Sequence, residues 1–153
     1  MTHLCCDVLK RLEGKTLATA ESCTGGGIGA ALTAIPGSSA VYKGGIISYT
    51  NEVKHNLLGV DNDLLDRFGA VSAPVAEAMA VGARKALKAD IAVSVTGLAG
   101  PGGDDYGNPV GRVYIGYADE NRTVSREFTF SGDREAVRRQ AAEEALKLIL
   151  ELN

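Results

Sequence analysis

Tryptophan is absent from this sequence, aromatic residues make up only 5% of it, and it holds just two histidines, three cysteines and four prolines. Each shortage excludes something. Three cysteines, two of them adjacent at Cys5 and Cys6, do not make a disulfide framework, so a reduced, cytoplasmic setting is expected. There is no basic excess: 16 basic against 19 acidic residues leave a net charge of −3, which argues against nucleic-acid and anionic-membrane partners. No apolar run approaches the ~20 residues of a membrane span. The opening "MTHLCCDVLKRLEGK" lacks the basic-then-apolar order of a signal peptide. The spacing of His3, Cys5 and Cys6 fits no zinc motif, and no metal is expected there. Repeats, linkers and low-complexity segments are missing too, so residues 1–153 are expected to form a single domain.

What is present alternates between helical and strand patterns, the signature of an α/β fold. Leu4, Val8 and Leu12 form a helical stripe within residues 2–13. Strands are expected at 15–21, 40–50 and 90–97, the last almost wholly apolar and therefore covered on both faces. Between them lie helices at 24–34, 51–60 and 73–88, with a turn between the last two. Gly44 and Gly45 suggest a bulge or a close approach. The segments 110–118 and 122–130 alternate around "DENR" as a hairpin does. A final amphipathic helix over 133–152 carries Val137, Ala141, Ala145, Leu148, Ile149 and Leu152 on one face. The pattern predicts three α/β/α layers around a mixed, mostly parallel sheet that ends in an antiparallel hairpin. An exposed edge strand and many small residues suit a homodimer.

Ligands of open α/β sheets bind outside the carboxyl ends of strands. Three informative segments fall there: residues 22–27, 49–54 and 96–103. The first, "SCTGGG", opens a helix, whose free N–H groups suit an anion or polar group. Its extension "GGGIGA" matches a loose dinucleotide fingerprint, but the acidic partner is unclear (Glu52 lies past the next strand) and no phosphate-binding lysine follows. Ser22 needs a base to act as a nucleophile. Lys54 is one candidate: it sits in a first helical turn, against the positive end of the dipole, and shares a face with Leu57 and Leu58, both of which favour the neutral amine. Cys23 with His55 is the rival pair, and the residues alone do not choose between them. Tyr49 can relay a proton or align the serine. The segment 97–109, with five glycines and two prolines, can bring N–H groups to a developing oxyanion. Asp104 and Asp105 read as a solvated loop tip without a third metal ligand. Arg134 and Arg138, four residues apart at the start of the last helix, form a candidate phosphate clamp, beside Asp133 as N-cap.

Taken in order, "TAESCTGG", "SYTNEVK", "GAVS", "SVTGLAGPGG", "PVGRVY" and "SGDR" resemble the nicotinamide-nucleotide amidase family, the domain also found at the C-terminus of CinA (competence/damage-inducible) proteins. The resemblance runs from about Leu17 to Ala142. It implies hydrolysis of nicotinamide mononucleotide to nicotinate mononucleotide and ammonia, in pyridine-nucleotide salvage, by a serine/lysine amidohydrolase with no cofactor and no metal. On that basis Ser22 is the nucleophile, Lys54 its base and Tyr49 an assistant. Thr96 and an arginine of "SGDREAVRR", Arg134 or Arg138, are implied to hold the nucleotide, and Thr24, Gly25, Gly26, Gly97 and Gly100 of the two glycine-rich segments are the further expected substrate-binding positions. The separate N-terminal domain of long CinA proteins is expected to be absent, with its chemistry. A regulatory nucleotide-binding module without catalysis, or an amidase for another carboxamide, stands as the alternative.

Overall fold

The computed structural model of the chain describes residues 1–153 and contains a five-stranded sheet. Its strands are β1 (Leu17–Glu21), β2 (Tyr42–Ile47), β3 (Ile91–Gly97), β4 (Arg112–Ala118) and β5 (Thr123–Thr129). They lie in the order β2-β1-β3-β4-β5. β1 pairs in parallel with β2 and β3, whereas β3–β4 and β4–β5 are antiparallel. Only β4 therefore runs against the other four, and the mixed sheet with its terminal hairpin is the one the sequence predicts.

Six α-helices flank it: α1 (Thr2–Arg11), α2 (Gly27–Thr33), α3 (Asn51–Leu58), α4 (Asn62–Phe68), α5 (Ala73–Leu87) and α6 (Arg134–Leu152). Side chains alternate across each central strand. Leu17 of β1 and Ile91, Val93 and Val95 of β3 join the core under α1, α2 and α6. Ala18, Ala20 and Ala92 face the other way, into a smaller core under α3, α4 and α5. On α6 the predicted apolar face is buried except for Leu152, which is half-exposed.

Small residues let α5 lie close to its neighbours. A Cβ on Gly116 of β4 would sit 2.3 Å from the Ala76 carbonyl of α5, and one on Gly82 of α5 would sit 1.9 Å from the Leu58 carbonyl of α3. Only hydrogen fits at either position, so α3 is fixed against α5 and hence against the sheet.

Several boundaries differ from expectation. The segment 61–72, read as a turn, contains α4, whose short apolar face (Leu65) was too brief to register as periodic; Asp61 caps it by accepting the Asp63 N–H at 2.9 Å. α2 begins at Gly27 rather than 24, because Gly25 and Gly26 take positive φ values of 60° and 99°. β2 is shorter than 40–50, being preceded by a 3-10 turn at Ser38–Ala40. The expected irregularity at Gly44–Gly45 is there: the β1–β2 register shifts next to Gly44, and Gly45 packs against Thr19.

Candidate active site at the carboxyl ends of three parallel strands

Strand order reverses between β1 and β3: the connection leaving β1 crosses one face through α2, and that entering β3 crosses the other through α5. A crevice opens at such a point. It holds a cavity of about 600 Å³ lined by Ser22 and Cys23 after β1, Tyr49, Asn51 and Lys54 after β2, and Thr96 to Tyr106 after β3, with Ala70, Val71 and Arg134 closing the sides. All three segments picked from the sequence meet here.

The sheet itself sets the first two segments. Ser22 N–H donates to the Val95 carbonyl at 3.0 Å and Ser48 N–H to the Glu21 carbonyl at 2.8 Å, so the ladder continues past each strand end. Thr50 then caps α3, accepting the Val53 N–H at 3.3 Å. One turn in, Lys54 is 1% exposed, and its Nζ lies 2.9 Å from Ser22 Oγ, 2.7 Å from the Ser48 carbonyl and 3.3 Å from the Tyr49 carbonyl. No carboxylate compensates the burial. Desolvation pulls the Lys54 amine down from 10.5 to about 8, opposed in part by Cys23. The lysine is lowered by burial, as its apolar neighbours in the sequence predict, but Leu58 alone shares its buried face, whereas Leu57 points to solvent.

The rival pair does not assemble. Burial pushes the Cys23 thiol up to about 11, the reverse of activation. His55 is exposed and its Nδ1 is tied to the Val60 carbonyl at 2.7 Å.

The expected anion site at the start of α2 is filled from within. Glu21, 2% exposed, takes the Ile28 N–H at 2.9 Å, the Gly29 N–H at 3.0 Å and the Thr24 hydroxyl at 2.7 Å. A buried carboxylate so supplied needs no external counter-ion, and it consumes the donors a phosphate would use. Thr24, Gly25 and Gly26 consequently lie outside the cavity lining, and Thr24's side chain faces Glu21. Glu21 lies in "TAESCTGG", but the sequence marks no role for it beyond a carboxylate at the end of a short strand.

The two arginines separate. Arg134 lines the cavity, donating from Nη1 to the Gly100 carbonyl at 2.8 Å and from Nη2 to the Tyr49 hydroxyl at 3.1 Å. Arg138 does not line it; it bonds the Cys23 and Thr24 carbonyls instead. Tyr49 accordingly meets Lys54 through its carbonyl, while its exposed ring carries the hydroxyl to Arg134. Thr96, Gly97 and Gly100 all line the cavity, although the Thr96 hydroxyl is committed to the Ala70 carbonyl at 2.8 Å.

The loop wall was legible only in part. Asp104 takes the Tyr106 and Asn108 N–H groups at 3.1 and 3.2 Å and the Asn108 side chain at 2.8 Å, which makes it an internal loop brace. Tyr106 and Asn108 fasten the loop to α4 and the segment after it, through the Asp66 carbonyl at 2.9 Å and the Val71 carbonyl at 3.1 Å. Asn51, Ala70 and Val71 lie in "SYTNEVK" and "GAVS" without a role assigned from the sequence, and Tyr106 is a lining residue that no quoted motif contains. No group of three or more metal-ligating side chains forms, and no helix is long and apolar enough to cross a membrane.

Fold and crevice together define an α/β protein with a buried, lysine-contacted serine at the switch point of its sheet. The family model of the CinA C-terminal domain matches residues 2–153, and the chain belongs to that family. It is 57% identical over 121 residues to a CinA-like protein of Thermosynechococcus vestitus, covering 78% of this chain and 29% of that protein. A CinA-like protein of Geobacter sp. (strain M21) is 52% identical over 131 residues, 86% of this chain and 32% of its own length. The chain thus spans about a third of the length of the curated relatives it matches. Among solved structures, a competence-damaged protein (CinA) superfamily protein from Escherichia coli superposes with TM-score 0.97 at 34% identity, covering 99% of this chain and 90% of that one. A competence/damage inducible protein from Agrobacterium tumefaciens gives 0.96 at 40% identity, covering 99% and 94%.

Proposed function

We propose that this chain is an amidohydrolase that converts nicotinamide mononucleotide to nicotinate mononucleotide and ammonia, with Ser22 as nucleophile and Lys54 as its base. The carrying observation is the 2.9 Å contact between Lys54 Nζ and Ser22 Oγ, at the wall of the cavity and away from solvent. Once Lys54 is neutral, its two N–H bonds are held by the Ser48 and Tyr49 carbonyls, so the lone pair faces the serine hydroxyl.

In this scheme Lys54 takes the Ser22 proton as the oxygen attacks the carboxamide carbon. Main-chain N–H groups meet the resulting oxyanion, an effect of about 3–4 kcal/mol on the barrier. Of the turn's amides, those of Cys23 and Thr24 are available, since Gly25 N–H already donates to the Ser22 carbonyl at 3.0 Å. The protonated Lys54 passes its proton to the departing nitrogen, which leaves as ammonia, and water then releases the acyl-enzyme. Arg134, at the mouth, suits the phosphate, and a cavity of about 600 Å³ suits a mononucleotide.

Ammonia release tests the reading directly, with nicotinamide mononucleotide, nicotinamide riboside and simple amides as substrates. The mononucleotide should turn over fastest. Ammonia from a simple amide but none from the mononucleotide would replace this substrate, and none from any would remove the amidase.

A further inference from the structure

Arg138 sits one turn along α6 from Arg134 and outside the cavity. Its Nε donates to the Cys23 carbonyl at 2.9 Å and its Nη2 to the Thr24 carbonyl at 3.3 Å, so a guanidinium rests on the Cys23–Thr24 and Thr24–Gly25 peptides. The Cys23–Thr24 peptide is trans, and in a trans peptide C=O and N–H point in opposite directions. A carbonyl turned to Arg138 therefore turns the Thr24 N–H away from α6. The next peptide behaves consistently: Thr24's carbonyl faces Arg138 and Gly25's N–H turns back to the Ser22 carbonyl.

The Thr24 N–H has no such partner. It donates to no main-chain oxygen, in a residue 2% exposed. Buried main-chain donors are almost always paired, so a free one next to the cavity-lining Ser22 and Cys23 can take an oxygen that arrives with the substrate.

We propose that Arg138 is a positioning residue: it sets and polarises the Cys23–Thr24 peptide, so that the Thr24 N–H serves as a donor to the tetrahedral oxyanion. This rests on the amidase reading. A cation on the carbonyl draws electron density through the amide and strengthens its N–H as a donor, and it holds the plane fixed before substrate binds. Arg138 would not touch the nucleotide, which is where it parts company with Arg134.

Two measurements test this. Arg138→Gln should lower kcat about 10- to 100-fold with KM within about twofold, since a donor that acts only on the oxyanion is weakened. Arg138→Lys, which retains a cation able to reach one carbonyl, should recover part of the rate and serves as well if the glutamine variant does not fold. A raised KM with unchanged kcat, or no change in either, would overturn the assignment. The second readout needs no turnover: in proton–nitrogen correlation spectra the Thr24 amide proton should move upfield in Arg138→Gln more than that of Ser22. An unmoved Thr24 resonance would refute the positioning role even if the wild-type protein hydrolyses the mononucleotide. Absence of hydrolysis by the wild type, with the resonance shifted, would instead fault the amidase reading alone.

Discussion

The two walls of the cavity are built by opposite means. The turn from Ser22 to Gly26 is held on every side: the sheet fixes Ser22, Glu21 gathers the donors of α2, and Arg138 grips the carbonyls behind. The loop from Leu98 to Gly111 offers glycines, prolines and few anchors, most of them at its far end through Asp104, Tyr106 and Asn108. One wall is held by buried polar contacts around Ser22, and the other is anchored at Gly100 by Arg134 and otherwise mainly through Asp104, Tyr106 and Asn108. The difference teaches that the rigid wall suits bond-making, where small displacements change a barrier steeply, while the looser wall suits enclosing a ligand.

Substitutions on the rigid wall, and at the Lys54 amine that contacts it, should accordingly act on kcat, and those elsewhere in the cavity on KM. The largest effect is expected for Ser22→Ala, which removes the proposed nucleophile and should lower ammonia release by about 10³-fold or more while nucleotide binding persists. Retained turnover in that variant would end the comparison outright.

Next comes Lys54. With its amine near 8, the neutral form of Lys54 is a minority below that pH, so under the proposed mechanism kcat/KM should rise with pH and level off above about 8. The sign for stability runs the same way. The unfolded chain binds the Lys54 proton up to 10.5 and the folded one only up to about 8, so this group's destabilising contribution is full below 8 and fades between 8 and 10.5. Lys54→Met should abolish the pH-dependence of both along with the rate; a variant that loses only affinity would move Lys54 from chemistry to binding.

Arg134→Ala should raise KM about 10- to 100-fold with kcat nearly constant, as loss of a charged contact to phosphate does. A fall in kcat alone would place Arg134 with the rigid wall. Tyr106→Phe should do least: it removes the hydrogen bond to Asp66, costing about 0.5–1.5 kcal/mol of stability by thermal unfolding and changing KM more than kcat.

The sequence was most legible where local rules and tertiary structure agree. The apolar run of β3, the Pro74 start of α5 and the amphipathic α6 are each fixed by periodicity or capping within a few residues. It was least legible where a side chain serves a distant partner. The burial of Lys54 depends on α3 packing against α5, which Gly82 permits from another element. Arg134 and Arg138 are equivalent on a helical wheel to within a turn; only the position of α6 over the β1 turn sends one to the cavity and the other to a pair of carbonyls.

By itself, then, the sequence determined the layered α/β order and which strand ends carry polar chemistry, because hydrophobic period and turn residues act over a few positions. Tertiary structure alone decided that Lys54 faces Ser22, that Glu21 closes the helix end and that Cys23 is buried with its thiol pushed up. Those outcomes depend on desolvation and on distances between segments far apart in the chain, and neither is encoded in local spacing.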